Sequence, residues 1–332
     1  MVDKEPVNMI LNANESPYNL FQSLKEPFMK RLEDTNLNRY PNTDSDDLRE
    51  TLGKYLGVQK ENILCGNGSD EIIQIIINTF VNKEDAVIIP IPTFSMYGNF
   101  TSIMGGKVIE VPSNEDFQIN VEEIIAQANE NAAKLIFLCN PNNPTGTFIP
   151  RESILRIVEE TPSMIILDEA YGDFCKEKNL DIIENPRVIV LRTFSKAFSL
   201  AGARLGYGIA HKDTMNILYR VKSPYNLNIF SQLIGEVILE NIELVETTID
   251  KIIQERDRVF QELKGIDTIK VYPSNTNFIL IKSKKAQDIA TRCKQEGIAI
   301  RDYNGPLLKN YIRLSIGTPQ ENNKVLDVIK GV

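Results

Sequence analysis

Between residues 60 and 210, short apolar segments alternate with stretches of helical periodicity. The apolar segments are rich in β-branched residues and bounded by polar or turn-forming residues, which is typical of buried strands. They are NILC, AVIIP, KVIEVP, KLIFLC, SMIILD, VIVLR and GYGIA. The helical stretches between them include SDEIIQIIINTF, NVEEIIAQANENAA and ESILRIVEE. Because parallel strands need long, usually helical crossovers, this alternation predicts an α/β fold with a largely parallel sheet covered by helices on both faces.

The pattern changes after residues 223–228, SPYNLN. Residues 243–265 have the apolar spacing of one long amphipathic helix that stops at a glycine. Two strand candidates, TNFILIK and YIRLSIG, and the helical AQDIATRCKQEG follow. A chain of 332 residues is also long for a single hydrophobic core. We therefore predict a large α/β domain over residues 36–225. We predict that residues 226–332 form a small α+β domain together with residues 1–35, which include an N-terminal arm.

Charge and composition exclude several classes of function. The formal net charge of −8 disfavours nucleic acid as a partner. No apolar run approaches the ~20 residues that a membrane helix needs, and the first residues carry charge and proline where a signal peptide would be apolar. We expect no membrane association and a cytoplasmic location. The four cysteines lack metal-ligand spacing, and a single histidine, His211, argues against Ser-His-Asp catalysis, so we expect no bound metal.

Polar turns follow the predicted strands, and ligands of parallel α/β sheets bind at the carboxyl ends of the strands. The turn GNGSDE leads into a helix whose free N–H groups suit a phosphate, with Ser69 or Asp70 as the capping residue. A capped helix without a ligand is the alternative. The rigid turn NPNNPTG places the amides of Asn142 and Asn143 where they can donate to a ligand oxygen.

Charged residues follow the next two predicted strands. Asp168 ends SMIILD, where a buried carboxylate needs a cation or a proton donor, unless it caps a helix. Lys196 follows VIVLR in the turn TFSKAF, after Ser195 and eight residues before Arg204. A buried lysine shifts toward the neutral amine, which attacks carbonyl carbons and forms Schiff bases. A solvated surface lysine is the ordinary alternative, but the buried strand before Lys196 favours the reactive amine.

Nine segments, in order along the chain, carry a family resemblance. They are LNANESPY, RYPN, GNGSDE, PTFSMY, NPNNPTG, DEAY, TFSKAFSLAGARLGY, PYNLN and RLSIGT, and they run from residue 11 to residue 318. Together they resemble the histidinol-phosphate aminotransferases, fold-type I pyridoxal-phosphate enzymes of class II. The resemblance implies a mostly parallel seven-stranded sheet in α/β/α layers, a smaller α+β domain and pyridoxal 5′-phosphate as cofactor. Ser199 and Ala203 depart from the glycine and leucine usual in the family, without changing a reactive group.

The resemblance implies a role for each residue around the cofactor ring. Lys196 would hold the cofactor covalently and then carry the proton during transamination. Asp168 would face the ring nitrogen and keep it protonated. Asn143 and Tyr171 would hydrogen-bond the ring oxygen, and Phe94 would stack on the ring. Lys196, Asp168 and Tyr171 are therefore the expected catalytic residues.

The resemblance also implies which residues bind the cofactor phosphate. Ser69 and Asp70 at the helix start would do so, with a hydroxyl from Ser195 and charge from Arg204. A tyrosine equivalent to Tyr40 reaches this phosphate from the partner subunit in the family. We therefore expect a homodimer in which Tyr40 completes the site of its partner.

Substrate recognition is expected from two arginines and a tyrosine. Strand alternation in YIRLSIG puts Arg313 on the face opposite the apolar residues, and arginine suits two-pronged capture of carboxylate or phosphate. Arg301 in IAIRDY resembles a companion to it. Tyr18 in the N-terminal arm and Asn143 resemble further substrate contacts. Surface ion pairs are the alternative for either arginine.

The resemblance implies an enzyme that transfers the amino group between L-histidinol phosphate and 2-oxoglutarate in histidine biosynthesis. The partners are then a small amino donor and a 2-oxo acid. Threonine-phosphate decarboxylases and aromatic amino-acid aminotransferases share the scaffold and are the alternative. A non-catalytic sensor that binds the cofactor is a remote alternative. It would need a basic DNA-binding segment, which this acidic sequence lacks.

Overall fold

The computed structural model describes residues 8–175 and 180–332. Its strands are β1 (Met9–Leu11), β2 (Ile63–Asn67), β3 (Ala86–Ile91), β4 (Lys107–Pro112), β5 (Leu135–Cys139), β6 (Met164–Asp168), β7 (Val188–Thr193), β8 (Leu205–Ala210), β9 (Ile269–Val271), β10 (Phe278–Ser283), β11 (Ile298–Asp302) and β12 (Tyr311–Ser315). Its α-helices are α1 (Phe21–Glu33), α2 (Asp46–Leu56), α3 (Ser69–Phe80), α4 (Met96–Ile103), α5 (Val121–Glu130), α6 (Arg151–Glu160), α7 (Lys212–Leu218), α8 (Ile229–Leu239), α9 (Ile242–Lys264), α10 (Ala286–Gln295) and α11 (Pro319–Lys330).

The larger sheet has seven strands in the order β2-β8-β7-β6-β5-β3-β4. Strands β7, β6, β5, β3 and β4 are parallel, and β8 is antiparallel to both β7 and β2. Each of the seven predicted apolar segments forms one of these strands, so the mostly parallel sheet is confirmed. Alternate side chains enter separate apolar clusters, with Ile165 and Leu167 in one and Ile166 in the other. Helices α5 and α6 contribute to the first cluster and α3 and α7 to the second, which gives the α/β/α layers.

The smaller sheet has five strands in the order β1-β11-β12-β10-β9. β1 pairs in parallel with β11, while β12 is antiparallel to both β11 and β10. The predicted long helix is α9, which buries Val245, Ile252 and Leu263. The beginning of the chain and its last third therefore share one sheet. This supports an arm that joins the small α+β unit, while the domain boundaries 36–225, 1–35 and 226–332 stay predictions.

Several elements were not predicted from the sequence. Strands β1 and β9 have three residues each, too few to show a period. Helix α1 contains Pro27, which weakened its helical signal. Helix α8 is buried around most of its surface, so it lacks the polar face by which an amphipathic helix is recognised. Within residues 8–175 and 180–332, no helix combines the length and apolar character that crossing a bilayer requires.

Pairing of β2 with β8 brings the first turn of α3 against the backbone of β8. Gly66 pairs with Gly206, and a Cβ atom on Gly206 would lie 2.3 Å from the backbone nitrogen of Ser69. Only a residue without a side chain permits this approach. Gly206 therefore determines where the N-terminus of α3 lies, and with it the predicted anion site.

Gly206→Ala should lower the free energy of unfolding by about 1–3 kcal/mol, because the added methyl group collides with backbone rather than with a flexible side chain. Urea denaturation of both proteins measures the difference. Gly202→Ala is the matched control, since a Cβ atom there meets nothing within 4 Å. Equal stabilities of the two variants would contradict the close approach.

Candidate active site

A cavity of about 580 Å³ lies at the carboxyl ends of the parallel strands, between the two sheets. This position is the one that ligands occupy in parallel α/β folds. The cavity brings together eleven of the residues that the sequence predicted, which are Ser69, Asp70, Phe94, Asn143, Asp168, Tyr171, Ser195, Lys196, Arg204, Arg301 and Arg313. Residues that are up to 244 positions apart in the chain, from Ser69 to Arg313, thus meet at one cavity.

Lys196 lies in the turn after β7, half-buried at the cavity wall. Its Nζ atom donates a hydrogen bond to the backbone oxygen of Ala13 at 2.8 Å and lies 5.9 Å from the centre of the Tyr171 ring. Desolvation lowers the pKa of Lys196 to about 8, and the positive charges of Arg313 and Arg204 add to the shift. A substantial fraction of this amine is therefore neutral near physiological pH, and the neutral amine is the nucleophilic form.

Asp168 ends β6 with 4% of its surface exposed. Burial raises its pKa to about 6, although the carboxylate accepts hydrogen bonds from the Tyr97 hydroxyl at 2.6 Å and from the Ala170 N–H at 3.0 Å. The helix-cap alternative is excluded, because the residues after Asp168 do not begin an α-helix. Asp168 is thus a buried carboxylate that lines the cavity and can bind a protonated group of a ligand.

Tyr97 was missed as a site residue, although it belongs to the quoted segment PTFSMY. Its ring is fully buried, stacks on Phe137 with centroids 4.6 Å apart and meets Phe94 edge-on. The ring therefore holds the hydroxyl that donates to Asp168 in a fixed place. A tyrosine in the first turn of a helix carries no sequence signal for this contact.

The predicted anion site lies at the start of α3, with one correction. Gly68, and not Ser69 or Asp70, is the N-cap residue, and no side chain caps the helix. Asp70 instead pairs with Arg204 at 3.1 Å, and Arg204 donates to the Ser195 hydroxyl at 3.5 Å. A Cβ atom on Gly68 would lie 2.6 Å from the Arg204 guanidinium, so glycine leaves the space this cation fills. Free N–H groups, two hydroxyls and a cation therefore converge here.

The two asparagines of NPNNPTG differ in function. Asn142 accepts from the Thr93 hydroxyl and donates to the Pro92 carbonyl and the Thr145 hydroxyl, so its amide holds the turn together. The prediction that both amides face a ligand is therefore wrong for Asn142. Asn143 lines the cavity and accepts a hydrogen bond from Arg313.

Arg313 and Arg301 are cross-strand neighbours on β12 and β11. Arg313 is 8% exposed, and its guanidinium also donates to the backbone oxygen of Asn12 at 2.7 Å. Its Nε atom is buried without a hydrogen-bond partner among the described residues. Ile312 and Leu314 enter the core instead, as the predicted alternation requires. Two cations therefore line the cavity from the smaller sheet.

Tyr18 and Tyr40 lie outside the cavity lining. Tyr18 is half-buried against the core, with the Lys251 amine 5.8 Å from its ring. Tyr40 is 79% exposed and stacks on Tyr225 with ring centroids 4.4 Å apart. Their expected contacts with a substrate and with the partner's cofactor stay predictions.

The cavity fits a ligand that combines an electrophilic carbon, a basic ring nitrogen and a phosphate. Lys196 supplies the amine for the carbon, and Asp168 supplies the buried negative charge for the nitrogen. Phe94 supplies an apolar face for the ring. The start of α3, with Ser195 and Arg204, supplies the phosphate donors. No group of three or more potential metal ligands occurs among the described residues.

Comparison with known proteins agrees with this chemistry. The family model "Aminotransferase class I and II" matches residues 6–329. Histidinol-phosphate aminotransferases from Ruminiclostridium cellulolyticum and Clostridium novyi are 40% and 39% identical to the chain. They align with 99% and 98% of it, and with 94% and 92% of their own lengths.

Solved structures agree as well. The histidinol-phosphate aminotransferase of Sinorhizobium meliloti in complex with pyridoxal-5′-phosphate superimposes with a TM-score of 0.91 at 25% identity, over 98% of this chain and 91% of its own. The L-threonine-O-3-phosphate decarboxylase of Porphyromonas gingivalis gives 0.85 at 26% identity, over 97% and 98%.

The fold and the site define the class, because a lysine at the exit of β7 and an aspartate at the exit of β6 face a phosphate-binding helix start across one cavity. The chain belongs to the class I and II aminotransferases, and within them to the histidinol-phosphate aminotransferase family.

The buried carboxyl of Asp168 should make stability depend on pH. Its folded pKa of about 6 lies above the ordinary aspartate value of 3.8, so between these values the folded protein keeps a proton that the unfolded chain loses. The stability that Asp168 contributes is therefore complete below about pH 4 and lost as the pH rises through about 6. The difference in free energy of unfolding between Asp168→Asn and the unsubstituted protein should therefore shift by about 3 kcal/mol in favour of Asp168→Asn as the pH rises between these limits. Urea unfolding of the cofactor-free proteins measures this difference.

Asp85→Asn is the control of opposite sign. The backbone N–H of Asn82 donates to Asp85 at 2.8 Å and lowers the pKa of this partly exposed carboxylate. Its contribution is therefore lost as the pH falls, and the difference between Asp85→Asn and the unsubstituted protein should run the other way. A flat profile for Asp168→Asn would mean that the Asp168 carboxyl is well solvated.

Proposed function

We propose that this chain is a transaminase that converts L-histidinol phosphate and 2-oxoglutarate to imidazole-acetol phosphate and L-glutamate, in histidine biosynthesis. Its family and its relatives' names support this activity. The observation that carries the proposal is the partly neutral Lys196 amine at the wall of a cavity that Asp168 also lines. A cytoplasmic location is consistent with a biosynthetic enzyme of this kind.

The cofactor is pyridoxal 5′-phosphate, which when bound supplies an aldehyde for covalent capture of amines and a ring that accepts electrons. Lys196 would bind the aldehyde and then move the proton at the substrate's α-carbon. Asp168 would hold a proton on the ring nitrogen, and Tyr97 would hold Asp168. Tyr171 and Asn143 would hold the ring oxygen, and Phe94 would exclude water from one ring face.

Arg204, Ser195 and the N–H groups of Ser69 and Asp70 would bind the cofactor phosphate, because they converge at the start of α3. Arg313 and Arg301 would bind the anionic group of either substrate. Arg313 is held by the Asn12 carbonyl and by Asn143, so its guanidinium meets the substrate in a fixed orientation.

Offering three amino donors in parallel tests the substrate. Histidinol phosphate with 2-oxoglutarate should release glutamate much faster than phenylalanine does, and threonine phosphate should release no carbon dioxide. The structural match to a threonine-phosphate decarboxylase makes the last arm necessary. Rapid release of carbon dioxide would favour the decarboxylase. Absence of all turnover in a protein that binds the cofactor would favour a sensor.

Lys196→Ala should abolish transamination and the visible absorbance of the bound cofactor, because Lys196 is the one lysine that lines the cavity in the described part of the chain. Circular dichroism should show an unchanged fold, since within residues 8–175 and 180–332 the side chain makes one hydrogen bond, to the backbone oxygen of Ala13. Lys212→Ala, at an exposed position on α7, is the control and should keep both properties. Full activity of Lys196→Ala would refute the assignment.

We further propose a homodimer in which Tyr40 contacts the cofactor phosphate of the partner subunit. The exposed Tyr40–Tyr225 stack supports this, because exposed aromatic rings are typical of interfaces. The domain division 36–225 against 1–35 with 226–332 is proposed on the two separate sheets.

Mixing two inactive variants tests the shared site. Tyr40→Ala and Lys196→Ala should each lose activity, but a hybrid dimer has one site with both residues intact. Random reassortment should therefore restore about a quarter of the active sites. A partner chain that carries both substitutions is the control and should restore none. No recovery with the single variants, despite hybrid formation, would place Tyr40 outside the partner's site.

A further inference from the structure

Residues 12–14 follow β1 and form one wall of the cavity. The backbone of this segment binds two basic side chains of the cavity. The Asn12 carbonyl oxygen accepts a hydrogen bond from Arg313, and the Ala13 carbonyl oxygen accepts one from Lys196. Asn14 ends this segment with 1% of its surface exposed and a φ of 56°, a left-handed conformation that asparagine tolerates better than most residues. A buried polar side chain at this point needs hydrogen-bond partners within the protein.

The hydrogen bonds of Asn14 connect the smaller sheet with Tyr171. Its side-chain Nδ2 donates to the Tyr171 hydroxyl oxygen at 2.8 Å. Its backbone N–H donates to the Ser315 hydroxyl oxygen at 2.9 Å, and that hydroxyl donates to the Asn14 Oδ1 atom at 3.0 Å. Asn277 donates to the Asn14 carbonyl at 2.9 Å and fixes the backbone.

Ser315 determines which way the Asn14 amide points. The Ser315 hydroxyl is buried and has one hydrogen, and Asn14 Oδ1 is its acceptor in the described part of the chain. Rotating the amide by 180° would put an NH₂ group in that place and leave the hydroxyl hydrogen buried without an acceptor. A buried donor without an acceptor is unfavourable, so the amide keeps its oxygen on Ser315 and its NH₂ group on Tyr171.

This orientation settles the direction of the Tyr171 hydrogen bond. A phenol has one hydrogen, and a hydroxyl that accepts from Asn14 keeps that hydrogen for another acceptor. Between residues 8 and 175 and from 180 onward, the structure shows no acceptor for it. Because Tyr171 lines the cavity, its hydrogen is directed to a ligand there.

We propose that Asn14, oriented by Ser315, is a positioning residue that makes Tyr171 a hydrogen-bond donor to an anionic oxygen of the bound cofactor. The inference rests on the proposed function, since it requires pyridoxal phosphate in the cavity. It also makes β12 contribute twice to the site, through Arg313 toward the substrate and through Ser315 and Asn14 toward the cofactor.

The absorbance of the bound cofactor, titrated with pH in the absence of substrate, tests this role. Tyr171→Phe removes the donor, so the anionic oxygen loses stabilisation and the midpoint should rise by roughly one pH unit or more. Asn14→Ala should raise the midpoint in the same direction, and Ser315→Ala should do so to a smaller extent. In a Tyr171→Phe background, Asn14→Ala should add nothing, because it acts through that hydroxyl.

Ser16→Ala is the matched control, because the Ser16 hydroxyl, two residues after Asn14, accepts a hydrogen bond from Ser199 at 2.7 Å and makes none with Tyr171 in the described part of the chain. It should leave the midpoint unchanged, whereas general loosening of the segment would shift it as well. Should Asn14→Ala fail to fold, the nearly isosteric Asn14→Asp replaces it. Its carboxylate would take the Tyr171 hydrogen, so the midpoint should again rise.

The outcomes separate this inference from the proposed function. A shift for Tyr171→Phe with none for Asn14→Ala or Asn14→Asp would overturn the role of Asn14 while the transaminase stands. An additive shift in the double variant would also overturn it. An unsubstituted protein that gives no cofactor absorbance and no transamination would remove the proposed function and this inference together.

Discussion

Desolvation of the Lys196 amine is the constraint on which the site depends. A lysine in water is almost entirely protonated at neutral pH and does not attack a carbonyl carbon. Here the amine is half-buried near Arg313 and Arg204, and these surroundings lower its pKa to about 8. The strand before it is buried along its whole length, so the turn that carries Lys196 begins inside the core. Because β6 is the parallel neighbour of β7, Asp168 opens into the same cavity.

On the phosphate side of the cavity, the close packing of backbone segments is as important as charge. Gly206 lets the first turn of α3 touch β8, and Gly68 leaves room for Arg204. The N–H groups of the helix start are thereby presented beside the hydroxyl of Ser195 and the guanidinium of Arg204. An anion site of this kind consists largely of backbone N–H groups, which every helix N-terminus has. The segment GNGSDE alone therefore could not be distinguished from an ordinary capped helix.

Much of the fold and of the site was readable from the sequence, and the exceptions share a cause. Each of the seven strands of the larger sheet appeared in the sequence as a short apolar segment, and the polar residues after these segments indicated the cavity. Tyr97, Asn14 and Ser315 were missed because their roles come from contacts with residues far away in the chain, such as Asp168 and Tyr171. Asn142 was assigned to the ligand because neighbouring amides in one turn look alike in sequence.

The sequence by itself determined the α/β class, the long helix α9 and the reactive groups, because periodicity and residue chemistry are local properties. Only the tertiary structure decided how these groups are used. Packing of the two sheets placed residues 12–14 at the cavity wall, where their backbone oxygens accept hydrogen bonds from Lys196 and Arg313. A pKa and the direction of a hydrogen bond depend on surroundings in three dimensions, and no segment of the chain contains them.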